Sequence, residues 1–168
     1  MHYPILRHNL SFLTLFCCIV AFDLLFYDVI AKLVQDWATD DNYSHGFLIV
    51  PISLYLAWER RDRLLRAPLA PSSLGLIVLV GGIVLLVAGV LGAELFVTRI
   101  ALLAVLTGGI LYIFGWVHLR LLAFPLALLL LMIPIPAIIF NQVAFPLQLL
   151  ASRFAAGVLS LWGIPVLR

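Results

Sequence analysis

Charged side chains are scarce in this sequence: Asp, Glu, Lys and Arg make up 11% of its 168 residues, whereas 65% are hydrophobic. A soluble domain of this length needs more charge, because its surface must be solvated by water. The mean hydropathy of +1.20 therefore predicts that lipid surrounds most of the chain. Membrane lipid is the first expected partner. No basic patch of the kind that binds nucleic acid is present, so no nucleic-acid partner is expected.

Sequence motifs for metals, cofactors and nucleophiles are also missing. The two cysteines, Cys17 and Cys18, are neighbours in the first apolar segment and cannot bridge each other comfortably. No HxxxH, HExxH or Cys/His spacing occurs, so no metal site is predicted. A glycine-rich phosphate loop and an acyl-transfer triad are absent as well, and no cofactor is expected. No small-residue cleavage site follows the first span, so a removable signal peptide is not expected.

Apolar segments capable of crossing a bilayer, which takes about 20 residues, dominate the rest of the chain. Five are predicted, at about 10–27, 44–58, 74–91, 98–115 and 121–133. Small residues recur every seven positions in the third and fourth spans: Gly75, Gly82 and Gly89, then Ala101, Gly108 and Gly115. This spacing predicts a closely packed antiparallel pair. The expected fold is all-α: a polytopic membrane helical bundle with about five transmembrane helices, forming one membrane domain over residues 1–168.

Three segments outside these spans also have a predicted structure. Residues 28–37 are apolar on one helical face, which predicts a short interfacial helix within an outer-face loop, 28–45. Residues 59–73 form a basic loop, and 116–120 a tight connection in which His118 is an interfacial loop residue.

Residues 137–162 follow Pro134 and Pro136, which end the fifth span. Asn141, Gln148 and Ser152 share one helical face there, which favours helix packing over a wet cavity. Pro146 and Arg153 favour an interfacial or re-entrant C-terminal helix over a sixth crossing.

The distribution of basic residues predicts the orientation. On one side of the predicted spans lie Arg7, Arg60, Arg61, Arg63, Arg66 and Arg120. On the other side lie Lys32 and Arg99. By the positive-inside rule, the N-terminus and the 59–73 loop are cytoplasmic, and the 28–45 loop and everything after Pro134 face outward.

A polar cluster at the start of the second span contains the candidate site residues Asp41, Tyr43, Ser44, His45 and Gly46. A histidine can transfer protons near neutral pH, so the cluster could border a substrate groove. Ser44 and His45 are not a nucleophile–base pair, because adjacent helical side chains point about 100° apart. The structural alternative is that Asn42 or Ser44 caps the helix, Tyr43 anchors at the headgroups, His45 bonds a loop and Gly46 allows close packing.

Two motifs in this sequence resemble the exosortase family, the EpsH-like membrane proteins related to archaeosortases. The first is NYSHGFLIVPISLYLAWERRDRL, in which a Tyr-Ser-His-Gly turn opens a span that ends in arginines. The second is the tail MIPIPAIIFNQVAFPLQLLASRFAAGVLSLWGIPVLR, which resembles the family's segment leading to its active site. Together the motifs cover about a third of the chain.

The resemblance implies a cysteine peptidase or transpeptidase at the outer face of a bacterial inner membrane. Its expected partners are exported proteins with a C-terminal PEP-CTERM-type sorting signal, in hosts that make exopolysaccharide. The family's catalytic cysteine, arginine and histidine are expected downstream of Arg168, and no catalytic residue is carried over. The chain is therefore expected to be an N-terminal fragment, or else a degenerate paralogue, that is inactive alone.

The alternative is a non-enzymatic membrane transport or exopolysaccharide-export component. Asp23, His45, Asn141 and Gln148 would then line a wet cavity. Asp23 lies near the end of the first span, where it could instead reach headgroup water. Neither reading predicts the oligomeric state.

Overall fold

The computed structural model describes residues 4–162, with side chains for residues 16–136, 138–159 and 161–162. This range contains seven helices: α1 Pro4–Thr39, α2 Gly46–Glu59, α3 Arg61–Arg66, α4 Ser73–Leu91, α5 Leu95–Ile113, α6 Trp116–Leu130 and α7 Ala137–Leu161. A 3-10 turn, Asp41–Tyr43, lies between α1 and α2. No β-strand forms within the described range, so the all-α prediction is confirmed. The chain divides into two compact units, Met1–Pro134 and Ile135–Arg168, and each is described by itself.

Three helices among the described residues are long and apolar enough to cross a membrane. They are Ser73–Leu91, Leu95–Ile113 and, within α7, Ile138–Leu159. Helix α6 is apolar but has only 15 residues. The predicted first span, 10–27, lies partly on residues whose side chains are not described. The predicted count of five crossings therefore stays a prediction. Within the predicted 137–162 segment, Ala137–Leu161 forms one continuous helix with Pro146 inside it.

Helices α4 and α5 pack as the antiparallel pair that the glycine spacing predicts. Gly75, Gly82 and Gly89 are all buried, and their neighbours on α5 step back by seven residues each time. A Cβ atom at Gly82 would lie 2.9 Å from the backbone nitrogen of Val105. One at Gly89 would lie 2.9 Å from that of Thr98. These distances are too short for any side chain, so the backbones touch only because the residues are glycines.

Helices α2 and α6 also run antiparallel, and hydrogen bonds from side chains to the backbone join them. Pro125 lies inside α6 and has no N–H to donate to the Leu121 carbonyl one turn earlier. The Arg60 guanidinium donates to that carbonyl instead, at 2.7 Å. Ser53, which is buried, donates to the Pro125 carbonyl at 2.8 Å. The proline thus frees a carbonyl that the neighbouring helix satisfies.

The predicted break after residue 27 is wrong, because α1 continues without interruption to Thr39. Residues 28–37 are helical as predicted, but they continue α1 and do not form a separate short helix. The apolar face predicted to lie in the membrane surface packs instead against the core of the first unit, where Leu33 and Trp37 are buried together with Phe26. Periodicity reveals that one face is apolar, but it does not show whether lipid or other helices cover that face.

Three further segments differ from their predicted structure. Residues 116–120 are the first turns of α6, and His118 is buried there at 6% exposure, with its Nε2 3.2 Å from the Leu64 carbonyl. Gly115 does not belong to α5: it precedes α6 at φ 87°, where its Cα faces the Ala70 carbonyl too closely for a side chain. The 59–73 connection is partly helical, because α3 occupies its centre.

Candidate functional site at the turn between α1 and α2

The turn between α1 and α2, residues 40–46, is built around the Asp40 carboxylate. Its Oδ1 accepts hydrogen bonds from the backbone N–H and from the side-chain Nδ2 of Asn42, each at 2.9 Å. Ser44 Oγ donates to the Asp41 carbonyl, also at 2.9 Å. The capping prediction is therefore corrected: Asp40 caps the 3-10 turn, and neither Asn42 nor Ser44 caps α2. The Asp40 carboxylate and the Ser44 hydroxyl both form hydrogen bonds that hold the backbone of the turn.

His45 is exposed, and its imidazole connects the turn to the end of α6. Its Nε2 lies 3.2 Å from the carbonyl of Leu131, the residue just after α6. A carbonyl oxygen only accepts, so Nε2 carries the hydrogen and donates it. The Tyr43 ring lies beside it, with 6.4 Å between the ring centroids. One nitrogen of His45 is thereby used for structure, and Nδ1 is left for other partners.

Gly46 begins α2 against the indole ring of Trp37. A Cβ atom at Gly46 would overlap the indole. Trp37 Nε1 donates to the Met132 carbonyl at 2.9 Å, a buried bond that spans 95 residues of sequence. Phe47 meets the same indole edge-on at 5.4 Å between centroids. Together Trp37 and His45 satisfy two successive carbonyls that α6 leaves unpaired at its end.

A buried ion pair beside this turn was missed by sequence reasoning. Arg99, near the start of α5, is only 4% exposed and donates to the Asp36 carboxylate on α1. Lys32 approaches the other oxygen of Asp36 at 3.9 Å. The sequence places Arg99 on the outer side, at the start of the fourth predicted span, and indicates no partner for it. The sequence did contain one signal: an arginine at the start of an apolar segment is rare and usually has a partner.

The remaining candidate residues lie on α1 and α7, outside the turn. Asp23 is exposed on α1, fourteen residues before Trp37 and thus about 21 Å away along the helix axis. Asn141 and Gln148 are exposed on α7 in the second unit. Cys17 and Cys18 are exposed on α1. Among the described side chains, no three His, Cys, Asp or Glu residues converge as metal ligands do. Among the described side chains of the turn, Ser44 and His45 do not form a nucleophile–base pair, because Ser44 Oγ donates to the Asp41 carbonyl and His45 Nε2 to the Leu131 carbonyl.

A family model for the transmembrane exosortase, Exosortase_EpsH, matches residues 37–168. The chain belongs to this family. No curated protein and no solved structure matches the chain. The exosortase match begins at Trp37 and so includes the whole turn, both carbonyls that it bonds and Arg99. Both cysteines of this exosortase-family chain precede the matched residues and so lie outside the region that the family model describes.

Proposed function

We propose that this chain forms the membrane part of an exosortase that cleaves exported proteins at a C-terminal PEP-CTERM-type sorting signal and transfers the product to an acceptor. The family match over residues 37–168 carries this proposal. We assign no catalytic residue within the chain, because neither Cys17 nor Cys18 lies in the matched region and the turn contains no nucleophile–base pair. The reaction would use the cysteine, arginine and histidine that the family resemblance implies.

We further propose that the chain crosses a bacterial inner membrane about five times with its N-terminus in the cytoplasm. Contacts within the first unit support this arrangement. At one end, the Arg60–Leu121 and His118–Leu64 contacts join the arginine-rich 59–73 connection to α6. At the other end, Asp36 lies near the end of α1, and Asp40 and Asp41 belong to the turn that follows it. An excess of Lys and Arg at one end of the spans is what the positive-inside rule predicts for the cytoplasmic end.

The turn would then border the groove that receives the sorting signal. Asp41 and His45 are exposed, so a peptide could reach them, while Ser44 and Gly46 hold the backbone in place. Tyr43 would supply an aromatic wall. A surface held by hydrogen bonds at both ends loses little entropy when it binds a ligand, which favours recognition.

The proposal is tested in the natural host with the complete chromosomal gene. A reporter protein carrying a Pro-Glu-Pro motif, a transmembrane helix and a basic end is exported, and its C-terminus is read by mass spectrometry. Deletion of the gene should abolish the shortened product, and the wild-type gene should restore it. His45→Ala should lower processing about tenfold at unchanged protein level, since one hydrogen bond to a polar ligand has about that value. Asp62→Asn, at the other end of the unit, is the matched control.

Unchanged processing in the deletion strain would contradict the enzymatic proposal. If polysaccharide export then stopped in the same strain, the transport alternative would be favoured. In the same set of strains, loss of export with no change in reporter processing would indicate a transport component and not a peptidase.

A further inference from the structure

The arginine-rich end of the first unit carries cations that form no ion pair with any residue that the structure describes. The segment 59–66 contains four arginines and two carboxylates, for a formal charge of +2. Arg60 is engaged with the Leu121 carbonyl and the Phe124 ring. Arg61 lies 5.1 Å from the Trp58 ring and 4.0 Å from Asp62. These two guanidinium groups already have partners inside the chain.

Arg63, Arg66 and Arg120 are different, because all three are exposed and make no ion pair or side-chain hydrogen bond with any described residue. Arg63 and Arg66 are three residues apart on α3 and therefore lie on the same side of that helix. Arg120 lies on α6, the helix that bonds α3 through His118 and the Leu64 carbonyl. Three unpaired positive charges are thus presented at one end of the unit.

The apolar residues around α3 place these charges at the level of lipid headgroups. Leu65, between the two arginines, is 85% exposed, and Leu69 just after the helix is also exposed. Trp58 and Trp116, which are exposed at the adjoining ends of α2 and α6, are residues typical of the membrane surface. A short helix with exposed leucine and arginine between two apolar helices is suited to lie in the headgroup layer. Helix α4, an apolar candidate span, begins only seven residues after Arg66.

We propose that Arg63 and Arg66, with Arg120, bind the phosphodiester headgroup of an anionic glycerophospholipid. A guanidinium group binds phosphate oxygens through two parallel hydrogen bonds, and an anionic headgroup would neutralise the net positive charge of this segment. The exposed Leu65 would contact the acyl chains of the same lipid. This inference does not depend on the enzymatic proposal, because it concerns the opposite end of the unit from the turn between α1 and α2.

The purified full-length protein is titrated in detergent with phosphatidylglycerol, with phosphatidylcholine, or with soluble glycerophosphoglycerol, and bound lipid is counted by native mass spectrometry. Wild type should prefer phosphatidylglycerol over phosphatidylcholine, and the soluble headgroup should bind weakly. Each lost arginine should reduce the affinity for phosphatidylglycerol about fivefold, so Arg63→Gln with Arg66→Gln should cost about 25-fold. Arg63→Lys with Arg66→Lys, which keeps the charge, should retain most of the affinity.

Arg153→Gln, on α7 in the second unit, removes the same charge and should leave lipid binding unchanged. If the double glutamine variant is poorly folded, the single variants Arg63→Gln and Arg120→Gln replace it, each with a fivefold loss expected. Equal binding of both lipids by wild type would overturn the proposal, as would an equal loss in the Arg153 control. Tight binding of the soluble headgroup would identify a phosphate site and not a lipid site. An acidic protein retained through the same arginines, without lipid preference, would identify a protein interface.

Discussion

Gly46 is the residue of the turn whose replacement the structure tolerates least. The Trp37 indole occupies the space that a side chain would need, and that same indole donates to the Met132 carbonyl. A larger residue must displace the ring, and the displaced ring can no longer make its buried hydrogen bond. The local damage would therefore be both steric and polar.

Gly46→Ala should destabilise the protein by about 2–6 kcal/mol, because overpacking costs roughly 1–3 kcal/mol and an unpaired buried carbonyl about 1–3 kcal/mol. Reversible unfolding in mixed detergent micelles, followed by circular dichroism, measures this change. Gly109→Ala is the matched control, since a Cβ atom there meets nothing within 4 Å. A Gly46 variant as stable as the Gly109 variant would show that the indole moves away without cost.

Arg99 is almost fully buried, and its Nε has no hydrogen-bond partner among the described residues. Its charge is balanced by Asp36, whose side chain is about one quarter exposed. A buried cation that loses its carboxylate is costly, whereas the loss of both partners leaves no net charge behind.

Asp36→Asn should therefore destabilise the protein by about 3 kcal/mol, the lower end of the range for a broken buried pair. The double variant Asp36→Asn with Arg99→Met should be closer to wild type than Asp36→Asn alone. The same detergent unfolding measurement provides both values. Additive losses in the double variant would mean that the two residues stabilise the fold separately.

The α2–α6 pair shows how a proline in one helix determines a contact with another. Pro125 leaves the Leu121 carbonyl without its intrahelical donor, and Arg60 supplies the missing hydrogen bond from α2. In a lipid environment an unpaired carbonyl costs more than in water, so this contact should contribute strongly to helix association.

Arg60→Met should cost about 1–3 kcal/mol in the wild-type background, because it leaves the Leu121 carbonyl unsatisfied. In a Pro125→Ala background the cost should be much smaller, since residue 125 then donates its own N–H to that carbonyl. A double-mutant cycle measured by unfolding in micelles gives the coupling free energy. An equal cost in both backgrounds would show that the proline is not the reason for the Arg60 contact.

The α4–α5 pair and the C-terminal break were predictable from sequence because their signals are local. Glycine at every seventh position determines which faces can touch, and Pro134 and Pro136 exclude a continuous helix. The long-range contacts were not predictable. Nothing in the local pattern connects Trp37 to Met132, Arg99 to Asp36 or His118 to Leu64.

The sequence identifies the candidate turn as a polar cluster, but it predicts the roles of only some residues in the turn. Close packing at Gly46 and a loop bond from His45 follow from residue type. The cap at Asp40 does not, because Asp, Asn and Ser all cap helix ends well and several such residues are adjacent here. Whether the turn borders a substrate groove stays a prediction.

At the scale of the whole molecule, the two ends of the first unit differ in charge. Arginines surround α3 and the start of α6, whereas acidic residues lie around the end of α1. Helices that alternate in direction bring each kind of residue to one end, although the residues are far apart in sequence. Orientation in the membrane should follow from this asymmetry.

Reporter domains inserted into the full-length chain test this orientation. Alkaline phosphatase, which is active only outside the cytoplasm, should be inactive after Arg66 and active after Gly92. A cytoplasmic reporter such as green fluorescent protein should give the reverse result at both sites. Expression of each fusion is checked by immunoblot. An active phosphatase after Arg66 would contradict a cytoplasmic arginine-rich connection.

The glycine contacts between α4 and α5 recur every seven residues on both helices, which is two turns of 3.5 residues and not of 3.6. Helices can keep such contacts in phase only by winding around each other with a left-handed twist. A shift of one helix by a single residue would bring bulky side chains against the opposite backbone. The next matching position is a full seven residues away, about 10 Å along the axis. The two helices therefore cannot slide along each other, and the pair keeps a constant length between the two ends of the unit.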